Sequence, residues 1–209
     1  PIKTIKKGVL KMKQHLISIG LMLIAPLILN AGTPNAPAPN FKESAASGKD
    51  YSLNKLKGKW VVLEWYNKDC PYVKKHYSSN NMQKLQKKYT EKDVVWLSVI
   101  SSAKGKQGHL TASEAQKIKK QSGSNATDIL LDEDGNMGKA YGAKTTPHMY
   151  VINPKGTLVY AGGIDDNNSA NPKVIPDSKN FVVAALDEAM NGKKVTTPQA
   201  KPYGCSVKY

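Results

Sequence analysis

The run WVVLEWY at 60–66 sets one charge among six apolar or aromatic residues, bounded by Gly58 and Asn67. Its β-branched and aromatic content predicts a buried strand. VVWLSVI at 94–100 predicts a second. Between them Met82, Leu85 and Tyr89 recur at helical spacing with lysines between, after an SSNN break. Upstream of that break Pro71 takes the first position of a shorter helix. The lysine-rich stretch 103–126 reads as a loop with a short helix from about Ser113 to Lys120, and TDILLD as a third strand. A DEDGN turn and a short helix through Ala140 follow. TTPHMYVINPKGTLVYAGG has the form of a β-hairpin around NPKG, and NFVVAALDEAMNG that of an amphipathic helix ended by Gly192. At the front, GKDYSLNKLKGKW reads as a turn, a short strand and a loop. Strand–helix–strand followed by hairpin and helix predicts an α/β domain: a mixed central sheet with helices on both faces and a short N-terminal strand extension.

The ends depart from this pattern. Lys3, Lys6, Lys7, Lys11 and Lys13 precede LISIGLMLIAPLILNAG, the charged and apolar parts of a secretory signal with small residues at its end. The expected organisation is a signal peptide over 1–31, with Met12 as an alternative start, and cleavage near Ala31 or Gly32. A Pro/Ala/Asn linker over 32–40, a domain over 41–192 and a polar tail over 193–209 follow. The apolar run is short for a span of about 20 residues, so no stable membrane insertion is expected after cleavage, with a retained anchor as the rival reading. Removing the segment takes five lysines and no acid from a chain of net charge +15, leaving +10.

Every one of these basic residues is lysine. Arginine is the bidentate and stacking group suited to nucleic acid, so its absence argues against a nucleic-acid partner and for a solvated lysine surface. Export also places the two cysteines in an oxidising compartment where they can pair. Two cysteines and four histidines without a close cluster match no zinc pattern, and neither a metal nor a cofactor is expected.

Cys70 is the strongest chemical candidate. It stands between a strand and a helix whose first residue is Pro71, where unpaired backbone N–H groups and the positive end of the helix dipole stabilise a thiolate. Lys74, Lys75 and His76 are expected to add positive charge, and Asp69 to oppose it. The bland alternative is a buried structural cysteine. Cys205 lies thirteen residues beyond Gly192, an extended reach of about 43 Å. A domain of this size has a radius of gyration near ~15 Å, so the tail can reach Cys70 in its own chain or in a second copy. Three roles stay open for it: a resolving cysteine, half of a permanent disulfide, or an unused tail thiol.

The order of elements, with a cysteine at the strand-to-helix junction and Thr-Pro opening the later hairpin, resembles the thioredoxin-like fold over about Asn40 to Gly192. YSLNKLKGKWVVLEWYNKDCPY and YGAKTTPHMYVINPKGTLVYAGG resemble the active-site entry and cis-proline hairpin of exported redoxins, the group that includes the alkyl hydroperoxide reductase/thiol-specific antioxidant proteins. The resemblance implies an exported, periplasmic thiol oxidoreductase, as a monomer or homodimer. Its partners would be protein thiols and disulfides or a small hydroperoxide, with an external thiol reductant. It implies that Glu64 passes protons as the buried acid behind Cys70, which then acts as nucleophile. It further implies a cis bond at Pro147, with Thr146 offering its backbone to a substrate strand beside Pro71, and, loosely, a resolving role for Cys205. His148 is expected to be an exposed strand residue. The departures are specific. Val73 stands where a thioredoxin has its second cysteine. Leu63 and Asn67 stand where a peroxiredoxin has proline and threonine, and the peroxiredoxin arginine is missing. Disulfide exchange, peroxide reduction and a non-catalytic binding module that keeps the fold therefore remain as rival activities.

Overall fold

A computed structural model describes residues 32–209 together with residues 1, 2 and 4. The expected signal segment thus lies, those three positions apart, outside the described residues. Among the described residues no helix is long and apolar enough to cross a membrane.

A short hairpin of β1 (Lys42–Ser44) and β2 (Asp50–Ser52) leads into β3 (Val61–Trp65), α1 (Pro71–Ser78) and α2 (Asn81–Thr90). Then come β4 (Val95–Ile100), α3 (Ala112–Gln121), β5 (Asp128–Leu131) and α4 (Asn136–Tyr141). The chain continues through β6 (Thr145–Thr146), β7 (His148–Ile152), β8 (Leu158–Gly162), α5 (Phe181–Met190) and β9 (Cys205–Ser206). Five of the strands form the central sheet in the order β5–β4–β3–β7–β8. β3, β4 and β5 run parallel, while β7 is antiparallel to β3 and β8 to β7. This is the mixed sheet that the hydrophobic pattern predicts. The helical stretch before β4 is broken at Asn80, whose φ of +61° lies in the left-handed region that asparagine tolerates.

Alternation along β3 sorts its side chains. Val61, Leu63 and Trp65 enter a core with Phe41, Leu53, Met137 and Tyr141. Val62 faces the other way, where Met82, Leu85 and Tyr89 of α2 and Val182, Ala185 and Leu186 of α5 cover the sheet. The register sets Trp65 opposite His148. The chain leaving β3 toward Cys70 therefore meets the Thr146–Pro147 step into β7 at one end of the sheet. His148 is buried, contrary to the expectation of an exposed strand residue. Central placement explains this, since β7 lies between β3 and β8.

The two segments outside the predicted domain are also docked. Residues expected to be linker lie along β8, with the Asn35 and Ala38 amides donating to Leu158 and Gly156 carbonyls at 2.7 and 2.9 Å. The C-terminal tail covers the rest of that edge: the Ala161 amide donates to Pro198 (3.1 Å) and the Ala200 amide to Ala161 (3.2 Å). It then crosses to β6 as β9 and ends with the Tyr209 hydroxyl donating to the Ala143 carbonyl at 2.8 Å. Covering an edge strand blocks its pairing with other chains.

Candidate active site

Cys70 is the N-cap residue of α1, with Pro71 at the first helical position, and its side chain is fully buried. Tyr66, Val73, Ile100, Leu110 and Ile129 enclose it. The peptide bond between Thr146 and Pro147 is cis. As a thiol, Cys70 donates to the Thr146 carbonyl at 3.0 Å. Across the β6–β9 ladder Thr146 pairs with Cys205, which packs against the apolar cluster that contains Cys70 and brings the two thiols together. The edge of Thr146 that the resemblance assigns to a substrate strand is thus filled by the chain's own tail. Gly204 permits this approach. Its φ is +133°, and a Cβ there would run into the Thr146 carbonyl.

The electrostatics of the two sulfurs are opposite. Burial pushes the Cys70 thiol up, but hydrogen bonds from the Cys205 thiol, the Thr146 side chain and the Val73 and Cys205 amides outweigh it and hold Cys70 below the ordinary thiol value. Cys205 is pushed up to about 11, by burial first and then by its bond to Cys70 and the Cys70 charge. Of the two thiols, Cys70 is therefore the one that gives up its proton first.

Lys75 and His76 do not serve Cys70 as expected. Both are buried and turn to Asp165, which lies past the end of β8. His76 is pushed down to about 4, chiefly by burial and further by Lys75 against the opposing pull of Asp165, and is neutral at pH 7. The Cys205 thiol first, and then the backbone amides of Val73 and Cys205, rather than basic side chains, thus favour the thiolate. Asn67 is occupied too: its amide donates to the Gln107 carbonyl (3.3 Å) and its oxygen accepts from the Asp69 amide (2.9 Å). Pro71 is exposed at the rim, while Thr146 and Pro147 lie buried beneath the tail.

Glu64 is fully buried on β3, but no hydrogen bond joins it to Cys70. It accepts from Tyr77 (2.8 Å), Gln86 (3.0 Å), Trp96 (2.8 Å) and Ser98 (3.4 Å). Desolvation raises its pKa to about 7 against the pull of those four donors. Between about pH 4.5 and 7 the folded chain keeps a proton that the unfolded chain has released. Glu64's contribution to stability is therefore full below the unfolded pKa and lost as pH rises through the folded one. The size is about 3 kcal/mol. His76 and His148, both pushed down to about 4 by burial first, act in the opposite sense and lose stability as pH falls from 6.5. Glu64→Gln isolates the carboxyl. Urea denaturation at pH 4.5 and pH 8 is expected to show the variant gaining about 3 kcal/mol on the wild type as pH rises. Parallel profiles would mean that Glu64 titrates as an ordinary surface acid.

The sheet order, the cysteine at the N-terminus of α1 and the cis-proline beside it define a redoxin of the thioredoxin-like fold. The chain belongs to the AhpC/TSA family, whose model matches residues 34–161. Among curated proteins it is similar to the "Thioredoxin peroxidase" of Fasciola hepatica, 28% identical over 138 residues that cover 60% of this chain and 68% of that one. It spans about two thirds of the length of the curated relatives it matches. Among solved structures it resembles an uncharacterized conserved protein from Geobacillus kaustophilus (TM-score 0.71, 26% identity, covering 86% of this chain and 94% of that one). A hypothetical protein, SMc02350, from Sinorhizobium meliloti 1021 superposes equally well (TM-score 0.71, 22% identity, 86% and 96% covered). The family match ends before the tail that brings Cys205 to the site.

Proposed function

We propose that the protein is an exported two-cysteine thiol oxidoreductase in which Cys70 is the nucleophile and Cys205 of the same chain resolves the intermediate. The observation that carries this reading is the apposition of the two thiols across the Thr146–Cys205 pair, with their proton affinities set apart. The Cys70 thiolate attacks one sulfur of a substrate disulfide, forming a mixed disulfide and releasing the other sulfur as a thiolate. Once Cys70 is bonded it carries no charge, so its share of the hold on the Cys205 proton is relieved and burial alone still opposes ionisation. Cys205 then gives its proton to the substrate thiolate released first and attacks Cys70, which expels the substrate's other sulfur as a thiolate and leaves a Cys70–Cys205 disulfide. An external dithiol reduces that disulfide and is itself oxidised. No step needs Glu64.

Reduction of a hydroperoxide is the second reading, and the filled strand position favours it. With the tail in place, an extended polypeptide finds the backbone of Thr146 already paired, whereas a small peroxide needs only the sulfur. The Cys70 thiolate would take the distal oxygen and release an alcohol or water. Cys205 would then condense with the sulfenic acid, forming the same disulfide and expelling water.

Both readings predict one product. Reduced protein treated with one equivalent of oxidant should lose two thiols and about 2 Da, and peptide mapping should join Cys70 to Cys205 within a monomer. Mapping of an interchain bond, or persistence of both thiols, would end the reading. Second-order rates with a model peptide disulfide and with hydrogen peroxide separate the two chemistries.

A further inference from the structure

Two residues before Cys205, Tyr203 enters a polar cluster that the chemistry above does not use. Lys75 and His76 of α1 have fully buried side chains, and Asp165 is 3% exposed. The Tyr203 hydroxyl donates to Asp165 Oδ1 at 2.5 Å and accepts from Lys75 Nζ at 3.3 Å. His76 Nδ1 accepts from the Asn81 amide at 2.9 Å, so the proton of the neutral ring sits on Nε2 and is donated to Tyr203 at 3.2 Å. One donor and two lone pairs are the full capacity of a phenol, and all three are used. Lys75 is completed by the Asn167 carbonyl (2.8 Å) and Asp165 by the Asn167 amide (3.0 Å). The Tyr203 ring lies edge-on to Tyr72, centroids 5.8 Å apart.

The helix that holds Cys70 at its N-terminus therefore also holds, one turn on, the post on which the tail is hung. Between Tyr203 and Cys205 is only Gly204, pressed against the Thr146 carbonyl. We infer that Tyr203 is the positioning residue of the resolving cysteine, its hydroxyl fixing the tail on α1 so that Cys205 meets Cys70 at high effective concentration. This rests on the pairing of Cys70 with Cys205 proposed above. A short link from a fixed anchor raises the local concentration of whatever it carries, and loosening the anchor lowers it.

Tyr203→Phe tests the inference, since it keeps the ring and its packing on Tyr72 while removing only the hydroxyl. In a dithiothreitol redox buffer the equilibrium constant for the Cys70–Cys205 disulfide is expected to fall about tenfold, a rise of about 30 mV in reduction potential. In the reduced protein, exchange protection of the Val207 amide, which donates to Lys144 at 3.1 Å, is expected to fall by about the same factor. Core amides of β3 and β4, which report the global fold, are expected to keep their protection. A normal disulfide equilibrium and unchanged Val207 protection in the variant would overturn the inference and leave the cysteine pairing intact. Loss of protection in β3 and β4 to the same extent would also overturn it, by making Tyr203 a general stability residue. Absence of any Cys70–Cys205 disulfide in the wild type would overturn the pairing itself and the inference with it.

Discussion

Cys205→Ser is expected to reduce steady-state turnover by roughly two to three orders of magnitude while leaving the first oxidation of Cys70 fast. That order follows from replacing an intramolecular attack, held at high effective concentration, by an external thiol at millimolar levels. The variant should accumulate Cys70 as a sulfenic acid with peroxide or as a mixed disulfide with a substrate, either one visible by mass. Cys70→Ser should lose both steps and retain only background reactivity at Cys205, whose thiol is protonated at neutral pH. The single variants also separate the electrostatics. The Cys205 thiol is the foremost donor opposing desolvation at Cys70, so Cys205→Ala should raise the Cys70 pKa as read by thiolate absorbance. Full turnover in Cys205→Ser would assign resolution to an external thiol and return Cys205 to a structural role.

The largest effect on stability is expected at Lys75. Replacing it by methionine keeps much of the stem volume but leaves the Asp165 carboxylate buried with, among the described residues, Tyr203 and the Asn167 amide as its hydrogen-bond donors. Breaking a buried pair by removing one partner costs about 3–5 kcal/mol, a large part of the roughly 5–15 kcal/mol that holds a domain together. The same change at Lys68 is expected to cost under about 1 kcal/mol, because Lys68 and Asp69 are each about a third exposed and water already screens them. Urea denaturation at pH 7 reads both. A double change of Lys75→Met with Asp165→Asn should recover part of the loss, since it removes the stranded charge. A Lys75→Met variant as stable as Lys68→Met would show that water reaches Asp165. Lys75 also supports Tyr203, so its loss should weaken the Cys70–Cys205 disulfide as well.

Residue type and spacing alone carried much of the architecture. The runs 60–66 and 94–100 are too rich in β-branched and aromatic residues to be anything but central strands, and β3 and β4 are the two innermost partners of the parallel half. Cys70 was legible because a cysteine before proline at a strand end sits at the cap of the helix that follows, but its foremost stabilising donor, the Cys205 thiol, was not. Glu64 was expected to be a buried acid through the family resemblance, and it is buried. Its partners were not legible, because Tyr77, Gln86, Trp96 and Ser98 come from three separate elements whose proximity follows from packing.

The sequence by itself determined the fold class, the helix-cap position of the candidate nucleophile and the reach of the tail, since each depends on local propensity or chain length. Only the tertiary structure decided where the tail goes. Nothing local marks Lys75 as the buried lysine among the described residues, or Tyr203 as its partner 128 positions away. Their pairing exists because α1, the loop after β8 and the tail meet at one point, and because a buried lysine and a buried aspartate must find each other or remain in water. That meeting sets Cys205 across from Thr146, within reach of Cys70.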